Sequence, residues 1–168
     1  MTELKRRYMH CLALAAFVLG LDQASKQAVL DHLRPGELLP VIPGYFNLTL
    51  AFNRGALFGF LNDSDINWQR GLFIAAAFAA MGVILYLIRQ LRPDDALGKI
   101  GLGLLLGGAA GNLVDRILIG RVVDFLDFYI GSAHWPAFNA ADCGVSVGVA
   151  LLLISLIRQP LGDKAQEG

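Results

Sequence analysis

The chain is 168 residues long, 55% hydrophobic and only 17% charged, with a mean hydropathy of +0.54. Soluble domains carry about 25% charge, so too little remains here to cover a water-facing surface. Fourteen basic residues balance fourteen acidic ones, which excludes a basic nucleic-acid binder; the composition also excludes a disordered chain and a disulfide scaffold and points to a membrane protein.

In chain order, Lys5, Arg6 and Arg7 precede the apolar run 11–21, the layout of a cleavable signal peptide. The apolar pattern continues through Ala24, Ala28, Val29 and Leu30, past Asp22 and Lys26, so a retained first span over about 10–30 is the better reading. The following loop holds Pro35, Pro40 and Pro43, then sets Phe46, Leu48, Leu50 and Phe52 in alternation with polar or small residues. That period of two marks a half-buried strand. A turn at 53–55 and a returning strand at 56–60 would complete a small sheet whose apolar face suits the membrane surface. Residues 71–88 are eighteen without a charge, enough for a second span at about 69–89.

Residues 100–114 and 143–157 hold fifteen uncharged positions each. At about 1.5 Å rise per residue these reach roughly 22 Å, short of a bilayer core of about 30 Å. The third and fourth spans, at about 98–115 and 139–157, must therefore admit polar residues at one end. Those are Asn112, Asp115 and Arg116 in the third and Asn139 and Asp142 in the fourth. Gly103, Gly107 and Gly111 form a smooth stripe along the third span, suited to close helix approach. The expected fold is one integral-membrane domain over 1–168, mainly α. It has four transmembrane helices, a small β-sheet in the first outer loop (31–68) and a second outer loop at 116–138.

Basic residues orient it. Segments 1–9, 89–99 and 158–168 hold eight of the fourteen, whereas the longer loops hold only Arg34, Arg54, Arg116 and Arg121. Both termini are therefore expected in the cytoplasm. Trp68, Trp135, Tyr45 and Tyr129 fall at the outer boundary and Tyr8 and Tyr86 at the inner one, as aromatic belts do.

Ionisable groups inside a span are costly and mark candidate functional sites. Each also has a plain structural explanation. Asp22 and Lys26, at i and i+4, can neutralise each other. Asp115 and Arg116 can bridge at a helix end, and Asn139 with Asp142 can cap the fourth helix. Asp127 reads as a solvated strand edge, but Asp124 sits between Val123 and Phe125, at an apolar surface. Together Asp22, Lys26, Asn53, Arg54, Asn112, Asp115, Arg116, Asp124, Asn139 and Asp142 map to one layer, the outer third of the membrane, whereas scattered caps would have no reason to avoid the inner side.

That layer holds no histidine, no GxSxG and no metal-ligand set, so no metal or cofactor is expected. Ser25 and Lys26 are about 100° apart on a helix, a poor dyad, and Cys11 and Cys143 read as small packing residues. What remains is a pair of carboxylates near an apolar interface. Like charges at close range separate their pKa values, so one can activate water while the other protonates a carbonyl, the aspartic-protease division of labour. Which two carboxylates, and which substrate, stay open on these grounds.

Five motifs carry a resemblance: DxxxK at Asp22 and Lys26, NRGALF at 53–58, GNLVDR at 111–116, VVDF at 122–125 and FNAAD at 138–142. In this order, over essentially the whole chain, they resemble signal peptidase II, the bacterial lipoprotein signal peptidase. Leu57 departs from the second alanine of that family's motif, at a position that touches no proposed catalytic group. The resemblance implies a cofactor-independent aspartic endopeptidase of the inner membrane, working near its outer face as a monomer. Its substrate would be a prolipoprotein carrying a diacylglyceryl cysteine, cut just before that cysteine. It implies Asp124 and Asp142 as the catalytic dyad, with Asn112, Asp115, Arg116 and Asn139 positioning dyad and substrate. Asn53 and Arg54 would lie on the substrate-facing loop, Asp22 and Lys26 would be mainly structural, and membrane lipid and cyclic peptides of the globomycin type would be further partners. A small proton- or ion-coupled transporter or channel subunit is the rival; it predicts ionisable residues spread through the bilayer depth. A scaffold built on the glycine stripe would leave the outer polar layer unexplained.

Overall fold

The computed structural model describes residues 2–53 and 68–158. Arg54 and the expected turn and returning strand beyond Asn53 lie outside the described residues. In chain order the elements are α1 (Glu3–His32), β1 (Leu38–Ile42), β2 (Phe46–Asn53), α2 (Trp68–Gln90), α3 (Ala96–Leu118), β3 (Val122–Ile130), β4 (Ala133–His134) and α4 (Ala140–Arg158).

Among the described residues three helices, α2, α3 and α4, are long and apolar enough to cross a membrane. α3 is central: half of its apolar window is buried, against 11% for α2 and 17% for α4. α1 runs beside it, and the glycine stripe explains how. A Cβ on Gly107 would stand 2.7 Å from the Ala15 carbonyl oxygen and from Val18 Cβ, and one on Gly103 3.1 Å from the Cys11 carbonyl. Gly111 does something else: a Cβ there would lie 2.5 Å from the Asp22 carboxylate, so this glycine makes room for a buried charge. The far side of α3 has a second set of close approaches that the single stripe did not suggest. A Cβ on Gly101 would come within 2.9 Å of the Gly148 carbonyl, and one on Gly108 would strike the Ala141 carbonyl, both on α4.

At the end of the bundle opposite the sheet, local capping sets the helix ends. Asp95 caps α3, accepting from the Gly98 N–H at 2.7 Å and from the Ser155 hydroxyl of α4 at 2.5 Å. Arg7 donates to the carbonyls of Arg89 and Leu91, which would otherwise be unpaired at the end of α2.

The expected sheet is present but is not confined to the first outer loop. Its order is β1-β2-β3-β4, all antiparallel, and β3 comes from the second loop. A two-stranded hairpin is marginal by itself. β2 instead pairs Leu48 with Leu126 and Phe52 with Val123, and its Leu50 packs with Val123, Phe125 and Val29 of α1. This anchors the sheet on the helical bundle and brings Asp124 opposite Ala51 in the register.

Candidate active site

Asn139 and Asp142 form a reciprocal helix cap. The Asn139 Oδ1 accepts from the Asp142 N–H at 3.0 Å, and the Asp142 Oδ2 accepts from the Asn139 N–H at 3.2 Å. This is the capping box that the sequence pattern offers as the plain explanation, yet it leaves Asp142 Oδ1 free for another donor. Asn112 Nδ2, from α3, supplies it at 2.8 Å.

Asp124 reaches the same place from β3. Asn139 Nδ2 donates to its Oδ1 at 2.7 Å and Asn53 Nδ2 to its Oδ2 at 3.2 Å. Asn139 Nδ2 also lies 3.1 Å from Asn112 Oδ1 and 3.2 Å from the Val123 carbonyl. The two asparagine amides, bonded to each other, thus link the aspartates: Asn112 donates to Asp142 and Asn139 to Asp124. Asp127 is excluded from this cluster by strand geometry, because three residues along a strand reverses the side chain. It is buried on the other face, where Asn47 Nδ2 donates to it at 2.8 Å and His134 Nδ1 lies 2.8 Å away. The reading of Asp127 as a solvated edge is therefore corrected, and Asn47 and His134 are its unforeseen partners. Asn47 carries no sequence signal; a buried polar residue inside a strand is visible only once its partner strand is known.

Behind the asparagines lies a buried charge cluster. Lys26 Nζ is 2.8 Å from Asp22 Oδ2, 2.8 Å from Asp115 Oδ2 and 3.0 Å from Asn112 Oδ1. The expected Asp22–Lys26 pair is there, but it serves two carboxylates. Asp115 is committed to Lys26, to Gln23 Nε2 at 2.9 Å and to the Val123 N–H at 3.0 Å, in place of the expected bridge to Arg116. Neighbouring residues on a helix point about 100° apart, and Arg116 accordingly turns away, over the Phe73 ring at 5.1 Å. Gln23, which sequence reasoning passed over, links Asp22 and Asp115; its signal was a polar residue beside Asp22 inside an apolar run.

Both aspartates line a cleft of about 810 Å³ together with Asn53, Asn112 and Arg116. Its remaining walls are mostly apolar, with Phe73 and Ala77 of α2, Val145 of α4 and, from the β4–α4 connection, Trp135 and Phe138. Cys143 also faces this cleft and is exposed, so only Cys11, which is fully buried, matches the packing role expected of both cysteines. The Asp124 carboxyl is pushed up from 3.8 to about 6, chiefly by burial and further by the negative charge of Asp142. Hydrogen bonds from Asn53 and Asn139 and the charge of Lys26 oppose that rise. A carboxyl that holds a proton near neutrality, close to a second carboxylate in an apolar-walled cleft, is equipped for acid–base hydrolysis.

A family model described as signal peptidase (SPase) II matches residues 14–158. The lipoprotein signal peptidase of Nitratidesulfovibrio vulgaris is 45% identical over 164 residues, 98% of this chain and 99% of that protein. That of Azoarcus sp. is 48% identical over 147 residues, 88% of this chain and 82% of the relative. A solved bacterial membrane enzyme superposes with a TM-score of 0.77 at 30% identity, covering 94% of this chain and 93% of the other.

Proposed function

The chain belongs to the signal peptidase II family of membrane proteases that process lipoproteins, and from that premise we propose that it is an aspartic endopeptidase acting on diacylglyceryl prolipoproteins. Asp124 and Asp142 are its catalytic pair. The observation that carries this reading is their linkage through the mutually bonded amides of Asn112 and Asn139 at the wall of one apolar cleft.

In the reactive form of the enzyme Asp124 carries the proton. Asp142, in the first turn of α4, receives the Asn112 and Asn139 donors and acts as the carboxylate. Asp142 takes a proton from a water molecule, whose oxygen attacks the carbonyl carbon of the bond preceding the lipidated cysteine. Asp124 gives its proton to the carbonyl oxygen. The tetrahedral intermediate then collapses as Asp142 returns a proton to the departing amine and Asp124 recovers its own. The products are a signal peptide ending in a carboxyl group and a lipoprotein whose cysteine amine is free. Asn112, Asn139 and Asp115 position the pair; Asn53 and Arg116 face the substrate.

The diacylglyceryl chains bind along the apolar walls between α2, α3 and α4, so burial of acyl surface supplies much of the affinity while the peptide requirement stays narrow. α1 is the fourth span, the whole chain is one domain of the inner membrane with both termini cytoplasmic, and the catalytic pair lies at the outer face. The enzyme acts as a monomer, and cyclic peptides of the globomycin type occupy the same cleft.

The test is cleavage of a purified diacylglyceryl prolipoprotein by reconstituted enzyme. Asp124→Asn and Asp142→Asn each reduce turnover by roughly 10³-fold or more while the protein still inserts, since each removes one half of a coupled proton transfer. EDTA leaves the wild type unaffected. Full turnover by either variant would refute the pair.

A further inference from the structure

We propose that Lys26 is a positioning residue of this reaction, the cation that sets the polarity of the Asn112 amide and seats both catalytic aspartates. The proposal rests on the reading of Asp124 and Asp142 as the catalytic pair, and it replaces the mainly structural part expected of Lys26.

Hydrogen-bond polarity fixes the amide. An amide side chain can be turned over with little change in shape, exchanging its donor and acceptor ends. An ammonium has donors only. Asn112 Oδ1 faces Lys26 Nζ at 3.0 Å and Asn139 Nδ2 at 3.1 Å, so the carbonyl end must point there. Nδ2 is thereby directed at Asp142 Oδ1, 2.8 Å away, where it donates to the carboxylate. Turned over, the amide would set NH₂ against the buried ammonium of Lys26 and a carbonyl oxygen against the Asp142 carboxylate, two repulsive contacts in place of two hydrogen bonds. The three N–H bonds of Lys26 match its three acceptors, Asp22, Asp115 and Asn112, and the residue is 2% exposed.

The backbone is held by the same cation. Asp22 Oδ1 accepts from the Ala141 N–H at 2.9 Å, and Asp115 Oδ2 accepts from the Val123 N–H at 3.0 Å. Each of these is the residue just before a catalytic aspartate. Both carboxylates are paired to the one Nζ, so a single cation from α1 holds the start of α4 and the start of β3 at a common centre. A helix-packing ion pair needs only one carboxylate and has no reason to touch an amide that bonds the dyad.

Lys26 also acts on the pair electrostatically. The charged groups around Asp124 are Asp142 on α4, Lys26 on α1 and Arg116 on α3, and Lys26 is one of the groups favouring its ionised form. Removing the cation therefore favours protonation of Asp124 and moves the alkaline limb of activity, where Asp124 loses the proton it must donate, to higher pH.

The experiment uses the full-length enzyme and diacylglyceryl prolipoprotein, with kcat and KM measured from pH 5 to 9. Lys26→Met lowers kcat by about 10²-fold or more while KM stays within about threefold, and the alkaline limb of kcat/KM moves up by roughly one pH unit. Lys26→Met/Asp115→Asn removes one buried anion along with the cation, which preserves folding, and turnover stays equally low. Wild-type kcat in either variant overturns the proposal. So does a loss of activity that merely tracks the folded fraction, with the pH limb unmoved. Asp124→Asn run in parallel separates the two readings. If it is inactive while the Lys26 variants are fully active, only the positioning role falls. If it still turns over, the catalytic pair falls and the positioning role with it.

Discussion

Asp124 combines its proposed chemistry with a cost in stability that can be measured. Its carboxyl is pushed up from 3.8 to about 6, so between those values the native protein keeps a proton that the unfolded chain has released. The stabilisation is complete below about pH 4 and is lost as pH rises through about 6, amounting to at most about 3 kcal/mol. Asparagine cannot titrate. The stability of Asp124→Asn relative to the wild type should therefore rise by roughly 1–3 kcal/mol between pH 4 and 7, as read from chemical unfolding in detergent at each pH. Parallel pH dependences would show that Asp124 is not held near neutrality. The residue proposed for catalysis is thus one that destabilises the fold at neutral pH, the trade-off expected of a functional site.

Among the elements, α3 decides the packing, and its glycines differ from those of α2 in a way that can be tested. A Cβ on Gly107 would meet backbone of α1, and one on Gly108 would meet backbone of α4, neither of which can yield as a flexible side chain would. Gly107→Ala and Gly108→Ala should each cost about 1–3 kcal/mol through forced helix separation, seen as a lowered thermal midpoint in detergent. A Cβ on Gly82 of α2 would meet nothing within 4 Å. Gly82→Ala should therefore be neutral or stabilising by up to about 1 kcal/mol, through helix propensity alone. Similar losses at all three positions would mean that glycine flexibility, and not close approach, is what α3 requires.

For the molecule as a whole, the asymmetry of basic residues predicts a fixed orientation. In a background with Cys11 and Cys143 replaced by serine, a cysteine at Arg92 should react with an impermeant maleimide only from the cytoplasmic side, and one at Glu37 only from outside. Both positions are exposed. The reverse pattern would overturn the proposed topology and put the proposed catalytic pair on the wrong face for its proposed substrate. The apolar helices α2, α3 and α4 are legible in the chain because each follows from local transfer energy: a stretch of eighteen uncharged residues at 71–88 has one favourable destination. The candidate site was legible as a set of residue types in one layer, and Asp142 as a capping residue. The pairings were not. Asp22 meets the Ala141 N–H 119 residues away, and Lys26 meets Asn112 86 residues away; no local pattern encodes such contacts. By itself, then, the sequence determined a membrane protein, its three long apolar helices and the aspartates available to it. Only the tertiary structure decided that β2 pairs with β3, that Asp124 and not Asp127 faces Asp142, and which amide donates to which carboxylate, because hydrogen-bond polarity is set by the groups that packing brings together.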